Sequence, residues 1–298
     1  MKGNQQKHVG KSMAKVAPRA SAPQHGRGTR AATFTTADSA QQNFTGSRVG
    51  NKPKVDSCRI QNLPRKYSEN CEKLMTPSSA KTLLISALEN FSSKDWKKHM
   101  EGLLQLKTLA QDHPAILKDR LQQVCVKICS EISSNRSAVS CEAMETMGVL
   151  YEHLPPDMNR LVDLTGVPLL ARFASLQGLR ERATITLEKM VDHCNPNKVL
   201  DFLLSKGMSH RCGAVRDGTA YLLTLLAKKM GITKILKSKS FIIVITKMCL
   251  DSSPKTRAHG YALLNDLDDE AGTEKILALI DEKNRNRIKS NLRKARKQ

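Results

Sequence analysis

The sequence predicts an all-α protein built as an α-solenoid, a row of stacked helix pairs. Apolar residues recur at helical spacing from about residue 78 to residue 288, and no segment alternates like a strand. Five residues mark comparable helix starts, separated by 43, 40, 36 and 41 residues: Trp96, Val139, Leu179, Val215 and Thr256. A period near 40 residues made of helix pairs is typical of HEAT-type repeats. We therefore expect about five helix pairs and a C-terminal capping helix.

Residues 1–75 precede the predicted solenoid and differ from it in composition. They hold 14 basic and 4 acidic side chains, few aliphatic residues and no periodic pattern. Such a segment buries too little apolar surface to offset the entropy of the chain. We therefore predict that residues 1–75 form a disordered basic tail.

Short segments rich in Pro, Gly, Ser and Asn divide the rest of the chain into helices. Thr76-Pro77-Ser78-Ser79 is an N-cap signal for the first helix. The predicted pairs are 78–90 with 96–111, 115–132 with 137–153, 157–175 with 179–193, 197–208 with 213–229, and 232–250 with 255–267.

A last basic helix over about 271–293 completes the predicted fold. Its first half is expected to cap the stack, and its second half, which has almost no apolar face, is expected to project or fray. This gives a repeat domain over 76–280 and a basic helical extension over 281–298.

The net charge of +21 lies mostly outside the predicted repeat domain, in 1–75 and 281–298. Basic tails attract nucleic acid, acidic membrane surfaces or acidic protein tails, and charge alone does not choose among them. We predict no membrane span, since no apolar run approaches the roughly 18 residues that a bilayer requires. Eight cysteines without a secretory signal favour buried thiols in a reducing compartment.

Motifs for catalysis are missing from the sequence. It has no Gly-rich phosphate loop, nucleophile elbow, His-Glu metal motif or convincing pair of carboxylates. The acidic run 266–270 is best explained as a solvated loop at a helix junction. We therefore predict a binding protein rather than an enzyme, with no cofactor, no metal and no small-molecule substrate.

The turns inside the helix pairs are predicted to line one edge of the solenoid, which we call the turn edge. The residue after each helix-start residue is basic in four of five cases: Lys97, Ser140, Arg180, Arg216 and Arg257. Helix N-termini favour anions and acidic side chains, so repeated basic residues there suggest a binding function. The alternative, which stays open for Arg216 and Arg257, is that the arginine bonds an acidic residue of a neighbouring repeat.

Trp96 is the only tryptophan in the chain, and it lies among charged residues. Asp95 is a suitable N-cap, which would place the indole in the first helical turn, near the surface. A protruding tryptophan among Arg and Lys is typical of a protein-binding hot spot, although a partly buried packing role is the alternative.

These residues resemble the TOG domain, a tubulin-binding HEAT module of microtubule polymerases, CLASP rescue factors and the crescerin family of axonemal microtubule regulators. The resemblance covers about 78–293 and is greatest to CLASP and crescerin modules. It depends on Ser93-Lys94-Asp95-Trp96-Lys97-Lys98 followed by Glu101-Gly102-Leu103-Leu104-Gln105-Leu106. Two departures are His99, where the family often has arginine, and the single basic helix where a sixth repeat is expected.

The resemblance implies that Trp96 inserts against tubulin while basic residues of later turns meet its acidic surface. The predicted contact residues are Trp96, Lys97, Asn135, Arg136, Arg180, Arg182, Arg216, Lys255 and Arg257. The implied partners are the tubulin heterodimer and the microtubule lattice, and the implied location is the cytoplasm and cytoskeleton, with the cilium or its base as a further site. The alternative is an RNA-binding or protein-adaptor helical-repeat protein, although stacking aromatics are not repeated in each module.

Overall fold

The computed structural model describes residues 76–295, with side chains described as far as Leu292. Within this range the chain forms fifteen α-helices and no strand. The helices are α1 (Pro77–Asn90), α2 (Trp96–Asp112), α3 (Pro114–Leu117), α4 (Leu121–Ile132), α5 (Ser137–His153), α6 (Pro155–Met158), α7 (Val162–Ala171), α8 (Gln177–His193), α9 (Pro196–Phe202), α10 (Gly213–Met230), α11 (Ile232–Lys237), α12 (Lys239–Cys249), α13 (Pro254–Ala271), α14 (Thr273–Leu279) and α15 (Glu282–Ala295). The predicted tail over 1–75 lies outside the described residues.

Five helix pairs form the core of the fold, as predicted. In each pair a first helix packs against a longer second helix: α1 with α2, α4 with α5, α7 with α8, α9 with α10, and α12 with α13. The second helices also pack side by side in the order α2, α5, α8, α10 and α13. The α-solenoid is therefore confirmed, and its repeat unit is the helix pair.

The five second helices share one register when residues are counted from the first residue of each helix. Position 7 is a small or short residue in every case: Gly102, Ala143, Ala183, Thr219 and Gly260. Position 11 is a large buried apolar residue in every case: Leu106, Met147, Leu187, Leu223 and Leu264. Small residues at one position and large ones a turn later let neighbouring helices interlock, which is why the repeats stack in this register.

This register corrects the predicted alignment of Trp96. Trp96 occupies position 1 of α2, whereas Val139, Leu179, Val215 and Thr256 occupy position 3 of their helices. Val139, Val215 and Thr256 are buried in the core, while Trp96 is exposed. These residues at position 3 therefore pack in the core, whereas Trp96 at position 1 lies at the surface. The equivalents of Trp96 are Ser137, Gln177, Gly213 and Pro254.

Several helices predicted as continuous are interrupted. The predicted helices 115–132 and 157–175 break where Arg120 and Leu161 leave helical geometry, with φ of −117° and −110°. The predicted helix 232–250 breaks at Ser238, whose hydroxyl accepts from the amide of Phe241 at 3.3 Å and caps α12. These breaks shorten first helices, whereas every second helix is continuous.

The C-terminal helix also differs from the prediction. It is two helices, α14 and α15, separated by extended backbone at Ile280. Ile288 and Leu292, one turn apart, are buried, and α15 packs on α12 and α13. The predicted projection of the second half is therefore wrong as far as Leu292, because two apolar residues at helical spacing suffice to dock an otherwise polar helix.

Polar bonds between successive second helices reinforce the stack. The hydroxyl of Thr186 donates to the carbonyl of Met144 at 2.9 Å. Lys107 forms ion pairs with Glu142 and Glu145, at 3.3 and 2.5 Å. Buried hydroxyl bonds of this kind satisfy polar groups that would otherwise oppose close packing of the helices. Every helix among the described residues is too short or too polar to span a bilayer.

Substitution of Gly218 tests the close packing of α10 against the third repeat. A Cβ added at Gly218 would lie 2.6 Å from the ring of Phe173, which is buried and cannot move away freely. We expect Gly218→Ala to lower the free energy of unfolding by about 2 kcal/mol, although alanine is the better helix former. Thermal unfolding followed by circular dichroism would show a melting temperature lower by about 4–8 °C.

Gly213→Ala is the matched control in the same helix, because an added Cβ there has only one neighbour, a guanidinium nitrogen of Arg216 at 3.9 Å. An unchanged melting temperature in both variants would contradict the packing described for α10.

Candidate functional site at the turn edge

The N-termini of α2, α5, α8, α10 and α13 lie along one edge because these helices stack side by side. The turn edge consists of the turns that precede them: 91–95, 133–136, 175–176, 208–212 and 250–253. Most of the residues predicted as contacts lie in these turns or in the first helical turn that follows each of them.

Trp96 is at the surface of the first turn, where its side chain is accessible to a partner. It is the first residue of α2 and is 36% exposed. Asp95 is the N-cap, as predicted, since its carboxylate accepts from the amide of Lys97 at 3.0 Å. The amide of Asp95 in turn donates to the hydroxyl of Ser93 at 3.1 Å, so the backbone before the indole is held in place.

Arg136 connects the second turn to the indole. Its guanidinium carbon lies 5.3 Å from the centroid of the Trp96 ring, which is a cation–π contact. The amide of Arg136 donates to the hydroxyl of Ser134 at 3.3 Å, and Arg172 donates to the carbonyl of Ser134 at 3.0 Å. The first two turns therefore present one combined surface of an aromatic ring beside a positive charge.

A side chain at position 4 of each second helix fixes the turn before it. Each one hydrogen-bonds to a backbone carbonyl of that turn or of the last residue of the first helix, and we call this contact the position-4 clamp. The clamps are His99 with Ser93 (2.7 Å), Ser140 with Ile132 (2.7 Å), Arg180 with Ser175 (3.0 Å), Arg216 with His210 (2.9 Å) and Arg257 with Ser252 (2.7 Å). Three of the five are arginines, so their placement near helix N-termini has a structural reason.

The clamp of the first repeat uses His99 in place of an arginine. One ring nitrogen bonds the Ser93 carbonyl, and the other lies 3.1 Å from the carboxylate of Glu131 in α4. Burial by itself lowers the pKa of His99, but the Ser93 carbonyl and the Glu131 carboxylate together outweigh it, so the pKa is raised. A protonated His99 can donate to both acceptors, which ties the Trp96 turn to the second repeat.

Arg216 links two repeats rather than facing outward. Its guanidinium makes a two-pronged contact with Asp251, at 2.8 and 3.1 Å, and donates to the hydroxyl of Ser252 at 2.9 Å. Burial opposes ionisation of Asp251, but bonds from Arg216 and the amide of Ser253 lower its pKa overall. The structural alternative for Arg216 is therefore confirmed.

The remaining predicted contacts divide into supporting and exposed residues. Arg182 pairs with Glu145 of α5 at 3.5 Å, and Arg257 donates to two carbonyls of its own turn. These two, like Arg216, support the edge. The exposed members are Trp96, Lys97, Asn135, Arg136, Arg180 and Lys255.

Leu176 is an edge residue that the sequence reasoning missed. It holds the N-cap position of α8, makes no side-chain cap and is 82% exposed. An apolar N-cap leaves helix amides unsatisfied and costs about 1 kcal/mol relative to Ser, Thr, Asn or Asp. The sequence did hold one signal for Leu176: it is an apolar residue at a helix N-cap, where Ser, Thr, Asp or Asn is preferred.

The described all-α solenoid has the fold of TOG domains. The TOG domain of Zyg9 from C. elegans superposes with a TM-score of 0.57 and 16% identity, covering 73% of this chain and 86% of that domain. At this identity the likeness shows the fold alone.

Sequence comparison adds relatives of the same kind. "TOG array regulator of axonemal microtubules protein 1" of Mus musculus is 29% identical over 200 residues, 65% of this chain and 11% of that protein. "Crescerin-like protein che-12" of Caenorhabditis elegans is 24% identical over 197 residues, 64% of this chain and 15% of that protein. No family model matches the chain. The resemblance to TOG and crescerin proteins is thus confirmed, and the chain spans a small part of these relatives.

Arg216→Ala tests the link between the fourth and fifth repeats. The variant removes the ion pair with Asp251, which keeps only local donors such as the amide of Ser253, and the Arg216 bonds to two turn carbonyls, so we expect a loss of about 2 kcal/mol in the free energy of unfolding. Lys255→Ala, at an exposed position of the same edge, should leave stability unchanged. Equal melting temperatures for the two variants would show that Arg216 does not support the fold.

His99→Gln tests the first clamp through its pH dependence. Because the folded-state pKa of His99 is raised, its stabilising effect is complete below the unfolded pKa of about 6.5 and is lost as pH rises through the folded pKa. Wild type should exceed His99→Gln in melting temperature at about pH 6, and the gap should narrow at about pH 8.5. A gap that stays constant or widens with pH would contradict this account of His99.

Proposed function

We propose that this chain is a tubulin-binding module that acts in microtubule organisation or dynamics and binds the tubulin heterodimer through the turn edge. The observation that carries the proposal is the exposed Trp96 ring beside the guanidinium of Arg136. An aromatic ring with an adjacent arginine is the composition most enriched in protein-binding hot spots. The names of the two sequence relatives, which refer to axonemal microtubules and to crescerin, support the same class of partner.

The exposed charges of the edge supply orientation and encounter rather than most of the affinity. Lys97, Arg136, Arg180 and Lys255 are all positive and all at the surface. Such charges speed association with an acidic surface and are screened by salt, whereas a desolvated aromatic contact controls dissociation. We propose that Trp96 enters an apolar depression of tubulin while these cations meet acidic residues around it.

The basic segments 1–75 and 281–298 complete the proposal. They carry most of the net charge of the chain, and the microtubule lattice is the acidic polymer that the resemblance implies. Weak, salt-sensitive attachment of these segments would raise the local concentration of the turn edge near tubulin. The role is binding without catalysis, in the cytoplasm and on the cytoskeleton, with the cilium or its base as a further location.

Trp96→Ala is the direct test. We expect the full chain with this change to bind free tubulin about thirtyfold more weakly than wild type, as for a hot-spot tryptophan. Its melting temperature should change little because the ring is exposed. Isothermal titration of purified tubulin into each variant measures the loss.

Ile185→Ala is the control, since Ile185 is an exposed apolar residue, 42% accessible, in the middle of α8 and away from the turns. Wild-type affinity in Trp96→Ala would refute the proposed contact. If microtubule co-pelleting were instead abolished by competing RNA and unaffected by Trp96→Ala, the nucleic-acid alternative would be favoured.

A further inference from the structure

Leu176 is the large apolar side chain with the greatest exposure among the described residues, at 82%. Scattered exposed apolar residues are normal on protein surfaces and usually need no explanation. Leu176 differs from the others in its place, because it lies in the third turn of the turn edge, on the same edge as Trp96. Its position therefore joins it to the proposed binding surface.

The backbone around Leu176 is held by hydrogen bonds, although its side chain is mostly exposed. The carbonyl of Leu176 accepts from the amide of Arg180 at 3.0 Å, and the guanidinium of Arg180 donates to the preceding carbonyl, that of Ser175. Phe173, three residues earlier, is buried in the core. The chain thus presents a leucine outward from a fixed turn, so little conformational entropy is lost when a partner covers it.

The spacing along the edge suits a second point of contact. Helices α2, α5 and α8 are successive neighbours, and packed helices lie about 10 Å apart, so Leu176 stands about 20 Å from Trp96. Arg136 lies between them in the second turn. Arg180 lies in α8, one helical turn after Leu176, and its guanidinium bonds back to the carbonyl of Ser175. Along the first three turns of the edge, an apolar group, a cation and a second apolar group therefore alternate.

This alternation favours a folded acidic protein surface over other partners. A nucleic acid would engage the arginines through phosphates but would gain little from a lone leucine, since single strands bind through aromatic stacking. A protein surface can instead enclose the leucine in an apolar depression and place acidic residues around it.

We propose that Leu176 is a second apolar anchor for the tubulin heterodimer, acting with Trp96 to fix the orientation of tubulin along the turn edge. This inference rests on the proposed function. Two apolar anchors at a set distance add a second desolvated contact, which holds the orientation that the surrounding charges favour during encounter.

Leu176→Ser separates tubulin affinity from stability, because the two quantities should change in opposite directions. Serine is a preferred N-cap, so the change should keep or raise the melting temperature of the protein. Removal of the apolar anchor should at the same time weaken binding of free tubulin by about tenfold. A gain in stability with a loss of affinity cannot arise from damage to the fold.

The experiment measures the affinity of the full chain for purified tubulin in wild type, Leu176→Ser, Trp96→Ala and the control Ile185→Ser. The proposal predicts weaker binding for Leu176→Ser and wild-type binding for Ile185→Ser. Wild-type affinity in Leu176→Ser together with a loss in Trp96→Ala would overturn the second anchor alone. If Trp96→Ala also binds normally, or if wild type does not bind, the proposed function itself fails.

Discussion

The position-4 clamp is the constraint on which the turn edge depends. In each of the five second helices one side chain reaches back to a carbonyl before the helix, which leaves the turn with one shape. Without the clamp, these turn carbonyls would hydrogen-bond to water, and the backbone of the turn could adopt several conformations. Because the second helices also share a register of small and large buried residues, five fixed turns are lined up at repeat spacing. A surface made of loops thereby gains the rigidity of the helices beneath it.

The clamps also distinguish residues that stabilise the turn edge from exposed residues that can contact a partner. Arginine meets the requirement best, since its planar group can serve two carbonyls and an acidic neighbour at once, as Arg216 does. Such a residue loses its internal partners if it turns outward. Of the proposed contacts, Trp96, Arg136 and Leu176 lie outside the clamps, whereas Arg180 is a clamp residue that also remains exposed. Basic character in a turn is therefore weaker evidence of binding than an exposed apolar group at the same place.

The sequence was sufficient for the helix pairs and for the surface position of Trp96, because helical periodicity and the Asp95 cap are local signals. It was insufficient for the register, since Trp96 and Val139 both begin helical runs and only burial shows that they occupy different positions. Neither Arg120 nor Leu161 is a proline or glycine, so the usual helix-breaking residues do not mark these two breaks in the sequence. Leu176 lies between two predicted helices, and only its exposure in the structure distinguishes it from a core leucine. The role of Arg216 required knowing that Asp251 lies beside it.

The central proposal is that the tubulin heterodimer binds at the turn edge rather than at the opposite turns of the solenoid. Hydrogen–deuterium exchange of the full chain, with and without saturating free tubulin, tests it most directly because every turn is observed in one measurement. The account predicts slower exchange in the segments around Trp96, Arg136 and Leu176, with unchanged exchange at the opposite turns near Pro114 and Pro196. Protection confined to those opposite turns or to the outer faces of α4 and α12, with the three edge segments unaffected, would contradict it.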